Sequence, residues 1–213
     1  MRLHLKNVYA CLTISMLAAA VGSYIDIFTN LFSGGLLTLI CSLGFLIALR
    51  CTVDDGKNRK MRLLFLVGFS FCSGLNLGSL LEQVIEINPS IIPTAFFSTC
   101  LVFVSFSLSA MLAKRGSWLF LGGLISTAFM VLFFTTLAGI LFRSPIMYQT
   151  HLYIGLFIMC AFVLYDTQLI MEKRRLGDKD FIGHSVELFI DFIGIFRRLM
   201  IILAQKVKIE QFS

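Results

Sequence analysis

Apolar residues run along this chain in seven blocks of about 20, the length a helix needs to cross ~30 Å of hydrocarbon at ~1.5 Å per residue. The blocks fall at 8–28, 31–49, 63–81, 92–113, 118–141, 148–171 and 183–204. Polar turns separate them: Arg50–Arg62 with its Asp54-Asp55-Gly56 turn, Glu82–Pro93, Lys114-Arg115-Gly116, Arg143-Ser144-Pro145 and Glu172–Asp180. The pattern predicts an all-α polytopic membrane helix bundle of about seven spans, built as one integral membrane domain over residues 1–213. The seventh block is the least apolar, since it carries Glu187, Asp191, Arg197 and Arg198. It is expected either to cross as a central helix or to dip and return as a re-entrant segment, and shielding by other helices allows both.

Composition removes the soluble alternative. Of the 213 residues, 58% are hydrophobic and 14% charged, with a mean hydropathy of +0.90; soluble domains carry roughly a quarter charged residues. The net charge of +6 does not point to nucleic acid, because the basic residues sit in short clusters between apolar blocks. They act instead as topology determinants. Arg2, Lys6, the second-to-third connection, Lys114-Arg115 and Lys173–Lys179 all fall on one side, which the positive-inside rule assigns to the cytosol together with the N-terminus. Lys206 and Lys208 favour that side too, whereas an odd number of crossings would carry them across. The N-terminal stretch imitates a secretory signal, but its apolar run continues to Phe28, so a retained first span is expected. The six cysteines form no CxxC pair and read as small buried apolar residues.

Two carboxylates stand out. Asp166, in the triplet Asp166-Thr167-Gln168, lies about five residues inside the sixth block, and Asp191 about eight inside the seventh, so both reach a depth of ~8–12 Å from the same membrane face. An ionisable residue at that depth costs about 2.5–3.5 kcal/mol on insertion scales and is functional by default. On the seventh helix His184, Glu187, Asp191 and Arg198 recur at spacings of three, four and seven, which makes one polar face. That face reads either as a structural ion-pair stripe or as the lining of an ion or proton path. If the two aspartates meet, they share a proton and titrate as a coupled pair. Loss of the proton then leaves two charges that a passing Ca²⁺, an oxygen-seeking ion, can screen. Glu82 and Glu86 read as a solvated mouth or cation vestibule, and Asp26 is expected to snorkel to water on that same side. Trp118 and Tyr148 sit where interfacial aromatics anchor helices, and His4, His151 and His184 form no ligand spacing.

The stretch Phe162–Ile170 with its Tyr165-Asp166-Thr167-Gln168 centre, then Gly177-Asp178-x-Asp180-Phe181-Ile182 and His184, then Leu188-Phe189-Ile190-Asp191-Phe192, resembles the signature of the Bax inhibitor-1 family. The likeness extends through Asn88–Phe96 and Leu119–Gly123 to Val8-Tyr9-Ala10, nearly the whole chain, and is greatest to eukaryotic members. It implies a multi-pass endoplasmic reticulum protein that suppresses cell death and lowers luminal calcium through a pH-sensitive leak. It implies Asp166 and Asp191 as the pH sensor, and Arg50, at the end of the second block, as an arginine that latches one of them. The tail Lys206–Glu210 is less basic than the lysine-rich ends of eukaryotic relatives, so tail-dependent functions are not expected.

Three functional readings follow. The first is a proton-gated cation leak with Ca²⁺ as permeant ion, no resident cofactor and no catalytic residue, in which Asp166 and Asp191 contact the ion transiently. The second is a non-conducting membrane scaffold that restrains Bcl-type apoptosis regulators or calcium channels through helix contacts. The third, an intramembrane aspartyl protease, fits poorly. Leu188-Phe189-Ile190-Asp191 stands where such enzymes carry Gly-x-Gly-Asp, and none of Pro89, Pro93 and Pro145 belongs to a Pro-Ala-Leu motif.

Overall fold

The structure, a computed structural model, describes residues 2–29, 35–54, 56–142 and 145–212. Among them every regular element is a helix: α1 (Arg2–Thr29), α2 (Leu36–Cys51), α3 (Arg59–Ile87), α4 (Ile91–Leu112), α5 (Leu121–Phe142), α6 (Pro145–Arg175) and α7 (Phe181–Phe212). Residues 31–34 of the second apolar block, Asp55 of the first polar turn, and Arg143 and Ser144 lie outside the described residues. The remainder of each block lies on or beside one helix. α1, α3, α6 and α7 run past their blocks because a charged residue ends an apolar run without ending a helix. What ends them is backbone chemistry. α3 stops at Asn88, ahead of Pro89, with the Asn88 N–H on the Val84 carbonyl at 2.9 Å. α6 stops at Gly177, whose φ of +103° suits glycine and lets its N–H reach the Arg174 carbonyl at 3.3 Å. α7 starts at Asp180, whose Oδ1 accepts the Gly183 N–H at 2.8 Å as an N-cap.

Four helices, α1, α3, α4 and α6, are long and apolar enough to cross a membrane; α2 is apolar but shorter, and α5 is apolar over Leu121–Leu137. α7, with its four mid-helix charges, is not among them, yet it is one uninterrupted 32-residue helix. It therefore does not dip and return: a reversal needs a break in the i to i−4 ladder, and none occurs between Phe181 and Phe212. Large apolar side chains face outward, with Phe97, Leu101, Leu112 and Phe157 each at least 70% exposed. Water does not tolerate such a surface, whereas acyl chains accept it.

The chain divides into two compact units. The first comprises Met1–Pro89 and Arg174–Phe189, which holds α1, α2, α3 and the first turns of α7. α1 lies parallel to α3 at glycine contacts: a Cβ on Gly74 would strike the Ala19 backbone, one on Gly22 the Phe71 carbonyl, and one on Gly78 the Asp26 carboxylate. Asp26 is thus 4% exposed and seated against α3, not snorkelled to water, because the bare Gly78 surface admits it. α2 returns antiparallel along α3. The Thr38 hydroxyl donates to Asn76 Oδ1 at 2.7 Å, and Phe45 covers Gly68. Leu66, Phe69, Ile182, Val186, Leu188 and Phe189 are buried, with the Phe69 and Phe189 rings edge to face at 5.8 Å.

The second unit comprises Ser90–Lys173 and Ile190–Ser213: α4, α5, most of α6 and the rest of α7. α5 and α6 run antiparallel, with Gly122 against the Tyr165 ring near one end and Thr136 Oγ1 at 2.8 Å from His151 Nε2 near the other. α7 packs on α4 through rings: Phe192 meets Phe103 at 5.6 Å and Phe96 at 6.0 Å, and Phe196 meets Phe96 at 6.2 Å.

Candidate functional site

In the second unit the depth of the two aspartates is set by the register of α6 against α7. Gly194 faces Met159 and Gly155 faces the Arg198 guanidinium, so four residues along one helix match four in reverse along the other. One turn further, this antiparallel register brings Asp191 level with Phe162, a single turn of α6 from Asp166. Both aspartates lie on the packed face, since Gly155, Met159, Phe162 and Asp166 share one side of α6, and Asp191, Gly194 and Arg198 share one side of α7. Helical side chains lean toward their own N-terminus, so in an antiparallel pair Asp166 leans to the level of Asp191 and Asp191 back toward Asp166. Asp191 is 4% exposed and Asp166 half-buried. Arg198, half-buried, donates from Nη1 to the Gly194 carbonyl at 3.3 Å.

Two residues beyond Asp166, Gln168 ties three elements together. Its Nε2 lies 3.2 Å from the Ala110 carbonyl, 3.1 Å from the Lys114 carbonyl and 3.3 Å from Ser117 Oγ. Its Oε1 accepts the Trp118 N–H at 2.9 Å. These bonds close the turn between α4 and α5, whose backbone groups α4 leaves without helical partners. Arg115 of that turn forks onto both oxygens of Glu172. Sequence reasoning named Gln168 only as part of a polar triplet. A carboxamide next to Asp166 in an apolar block was the signal available, because such a group inside a membrane must be satisfied by protein.

In the first unit charge meets charge. Arg50 Nη2 pairs with Glu187 Oε1 at 3.1 Å, so the carboxylate that this arginine engages is Glu187. Arg62, expected among the loop cations that set topology, is 3% exposed and held by Asp180 at 2.5 Å and Asp54 at 3.3 Å. Burial pushes the Asp180 carboxyl up, but the hydrogen bonds from Arg62 and the Gly183 N–H and the charges of Arg62 and His184 prevail, holding it below its ordinary 3.8. His184, 3% exposed, presents Nδ1 to His4 Nε2 at 3.1 Å and Nε2 to Asp178 Oδ2 at 3.5 Å. The two histidines stand 180 positions apart in sequence, which is why spacing did not join them. Along α7, His184 thus meets His4 and Asp178, Glu187 meets Arg50, and Arg198 donates to the Gly194 carbonyl. Glu82 is half-buried and Glu86 exposed at the end of α3. Among the described residues no group of three His, Cys, Asp or Glu could hold a metal ion.

Helices too apolar for water, with acidic, basic and amide groups turned inward between them, define the class: a polytopic α-helical membrane protein with an ionisable interior. Comparison with known proteins narrows this. Residues 1–208 match the family described as inhibitor of apoptosis-promoting Bax1. The chain is 50% identical over 203 residues to a protein named probable Bax inhibitor 1 from Paralichthys olivaceus, covering 95% of this chain and 86% of that one. It is 47% identical over 205 residues to Bax inhibitor 1 of Bos taurus, covering 96% and 87%, and 38% identical over 201 residues to that of Arabidopsis thaliana, covering 94% and 80%. The chain belongs to the Bax inhibitor-1 family.

Proposed function

We propose that this protein is a pH-sensitive calcium leak of the endoplasmic reticulum membrane, its N-terminus cytosolic, that suppresses apoptosis and stress-induced cell death. What supports the reading is the antiparallel register of α6 and α7, fixed by Gly194 on Met159 and Gly155 on Arg198, from which the level of the 4% exposed Asp191 is about one helical turn from that of Asp166. Two carboxylates so placed in a low dielectric bind one proton between them more readily than either would alone. That shared proton ties α6 to α7. Its loss sets two negative charges against each other, the helices part, and Ca²⁺ as substrate finds oxygen ligands on its way through. Arg198, about two turns further along the same face of α7, adds a positive charge that restrains cation entry until the helices move.

Reconstituted into liposomes, wild-type protein should pass Ca²⁺ at a rate that changes about tenfold over the pH range in which the pair titrates. Asp166→Asn and Asp191→Asn should each flatten that profile. Normal pH-dependent leak through both variants would remove the reading. The family description names inhibition of Bax1 and no ion, which favours a second reading as a non-conducting scaffold that contacts apoptosis regulators through its exposed apolar helix faces. Protein that is inert in liposomes yet protective in cells would select it.

A further inference from the structure

The array of His4, His184 and Asp178 lies in the first unit, apart from the aspartate pair, and nothing in the leak mechanism uses it. It joins the first turn of α1 to the first turn of α7 and the loop before it. Both rings are buried, at 7% and 3% exposure, while Asp178 is 40% exposed and in contact with solvent. The array therefore runs from water inward.

We propose that His4 and His184 form a second proton-responsive latch, which holds the start of α1 against the α6–α7 corner with at most one added proton and opens when both rings are charged. The geometry dictates the count. Two imidazole nitrogens 3.1 Å apart require one hydrogen between them, so one ring donates and the other accepts. With Nε2 of His184 turned toward the Asp178 carboxylate, that nitrogen carries its hydrogen and Nδ1 is left to accept from His4 Nε2. One further proton is accommodated on the outer nitrogen of His4, because the bond between the rings survives and the Asp178 carboxylate offsets the charge. A second cannot be. Both facing nitrogens would then carry hydrogens, and two cations would oppose each other inside the protein.

The surrounding charges sharpen the response. Burial, the neighbouring His184 and, from α6, Arg174 oppose protonation of His4, while Asp178 favours it. From the loop, Asp178 and Asp180 place negative charge near His184. From α3, Arg62 is already engaged by Asp180 and Asp54. That ion pair does not titrate in the same window, since guanidinium stays protonated and Asp180 sits below the usual carboxylate range. The corner is thus held by one tie indifferent to mild acid and one that is sensitive to it.

Full-length protein in nanodiscs can be tested by imidazole nitrogen resonances and by amide exchange over 3–12 and 181–188, followed from about pH 7.5 to 5, a window that brackets the ordinary histidine value. The two rings should protonate in separated steps, the second below the ordinary value, and amide protection at the start of α1 should fall about tenfold with that second step. His4→Gln and His184→Gln should each remove the protection step while Asp166→Asn and Asp191→Asn keep it. Independent single-step titration of both rings in wild type would overturn the latch even if a glutamine variant fails to fold. So would a protection step that persists in both glutamine variants. A step lost in the asparagine variants would overturn its independence from the aspartate pair. A flat calcium-flux profile with an intact protection step would sink the leak reading and leave the latch standing.

Discussion

The two halves of α7 are held by different forces. Up to Phe189, beside an apolar face that packs Phe189 on Phe69, its polar side chains meet charge or its near equivalents: Asp180 caps it and takes Arg62, His184 faces His4 and Asp178, and Glu187 takes Arg50. From Ile190 onward it is held by close packing, with Gly194 against Met159 and Phe192 and Phe196 among the rings of α4. Lipid tails are as apolar as leucine, so burial alone does not drive helices together in a bilayer; shape and polar bonds must do it. The first half of α7 is therefore sensitive to protonation at its ties, and the second to the volume of what it packs against. Asp191, two residues into the packed half, is the carboxylate placed where a change of charge meets close-fitted surfaces.

The sharpest way to break the comparison is through glycine. Gly74→Ala puts a methyl into the Ala19 backbone, which cannot yield without moving α1, so a loss of about 3 kcal/mol or more is expected. Thermal unfolding in detergent micelles would show it, and a wild-type midpoint would contradict the backbone obstacle.

Next in size is Arg62→Leu, which strands Asp180 and Asp54. Removing one partner of a buried pair costs about 3–5 kcal/mol, reduced here to roughly 2 because the two acids are partly solvated. The pH dependence has a definite sign. A carboxyl whose folded value is depressed stabilises the fold above its unfolded value and loses that contribution as pH falls through the folded one. Wild-type protein should therefore shed this part of its stability only below about pH 4, whereas Arg62→Leu lacks it at every pH above that. Unfolding midpoints measured from neutral pH downward would decide it; parallel curves for the two proteins would show that Arg62 is not the cause.

The smallest effect tests the packed half. A methyl on Gly194 meets the Met159 sulfur, the far end of a flexible side chain, so Gly194→Ala should cost under about 1 kcal/mol. A loss as large as that of Gly74→Ala would mean that both halves of the molecule are equally rigid.

Much of the helical framework was legible in the chain because hydrocarbon thickness imposes one length on every crossing element. Asp166 and Asp191 stood out for the same reason: a carboxylate in an apolar block is costly wherever it lies. Arg62 reads in sequence only as the last cation of the second-to-third connection, because its burial depends on two acids 8 and 118 positions away. Asp26 was read as solvated because sequence shows its depth but not the bare patch at Gly78 that receives it.

By itself, then, the order of residues determined that the chain is helical, that it lives in a bilayer, and which carboxylates lie within apolar blocks, because each of these follows from the local cost of placing a group in hydrocarbon. Only tertiary structure decided that α7 continues unbroken through its charged middle, that Arg50 takes Glu187, and that His4 meets His184. Those depend on which helix faces which, and at what register, and such pairings between distant residues leave no period or spacing along the chain.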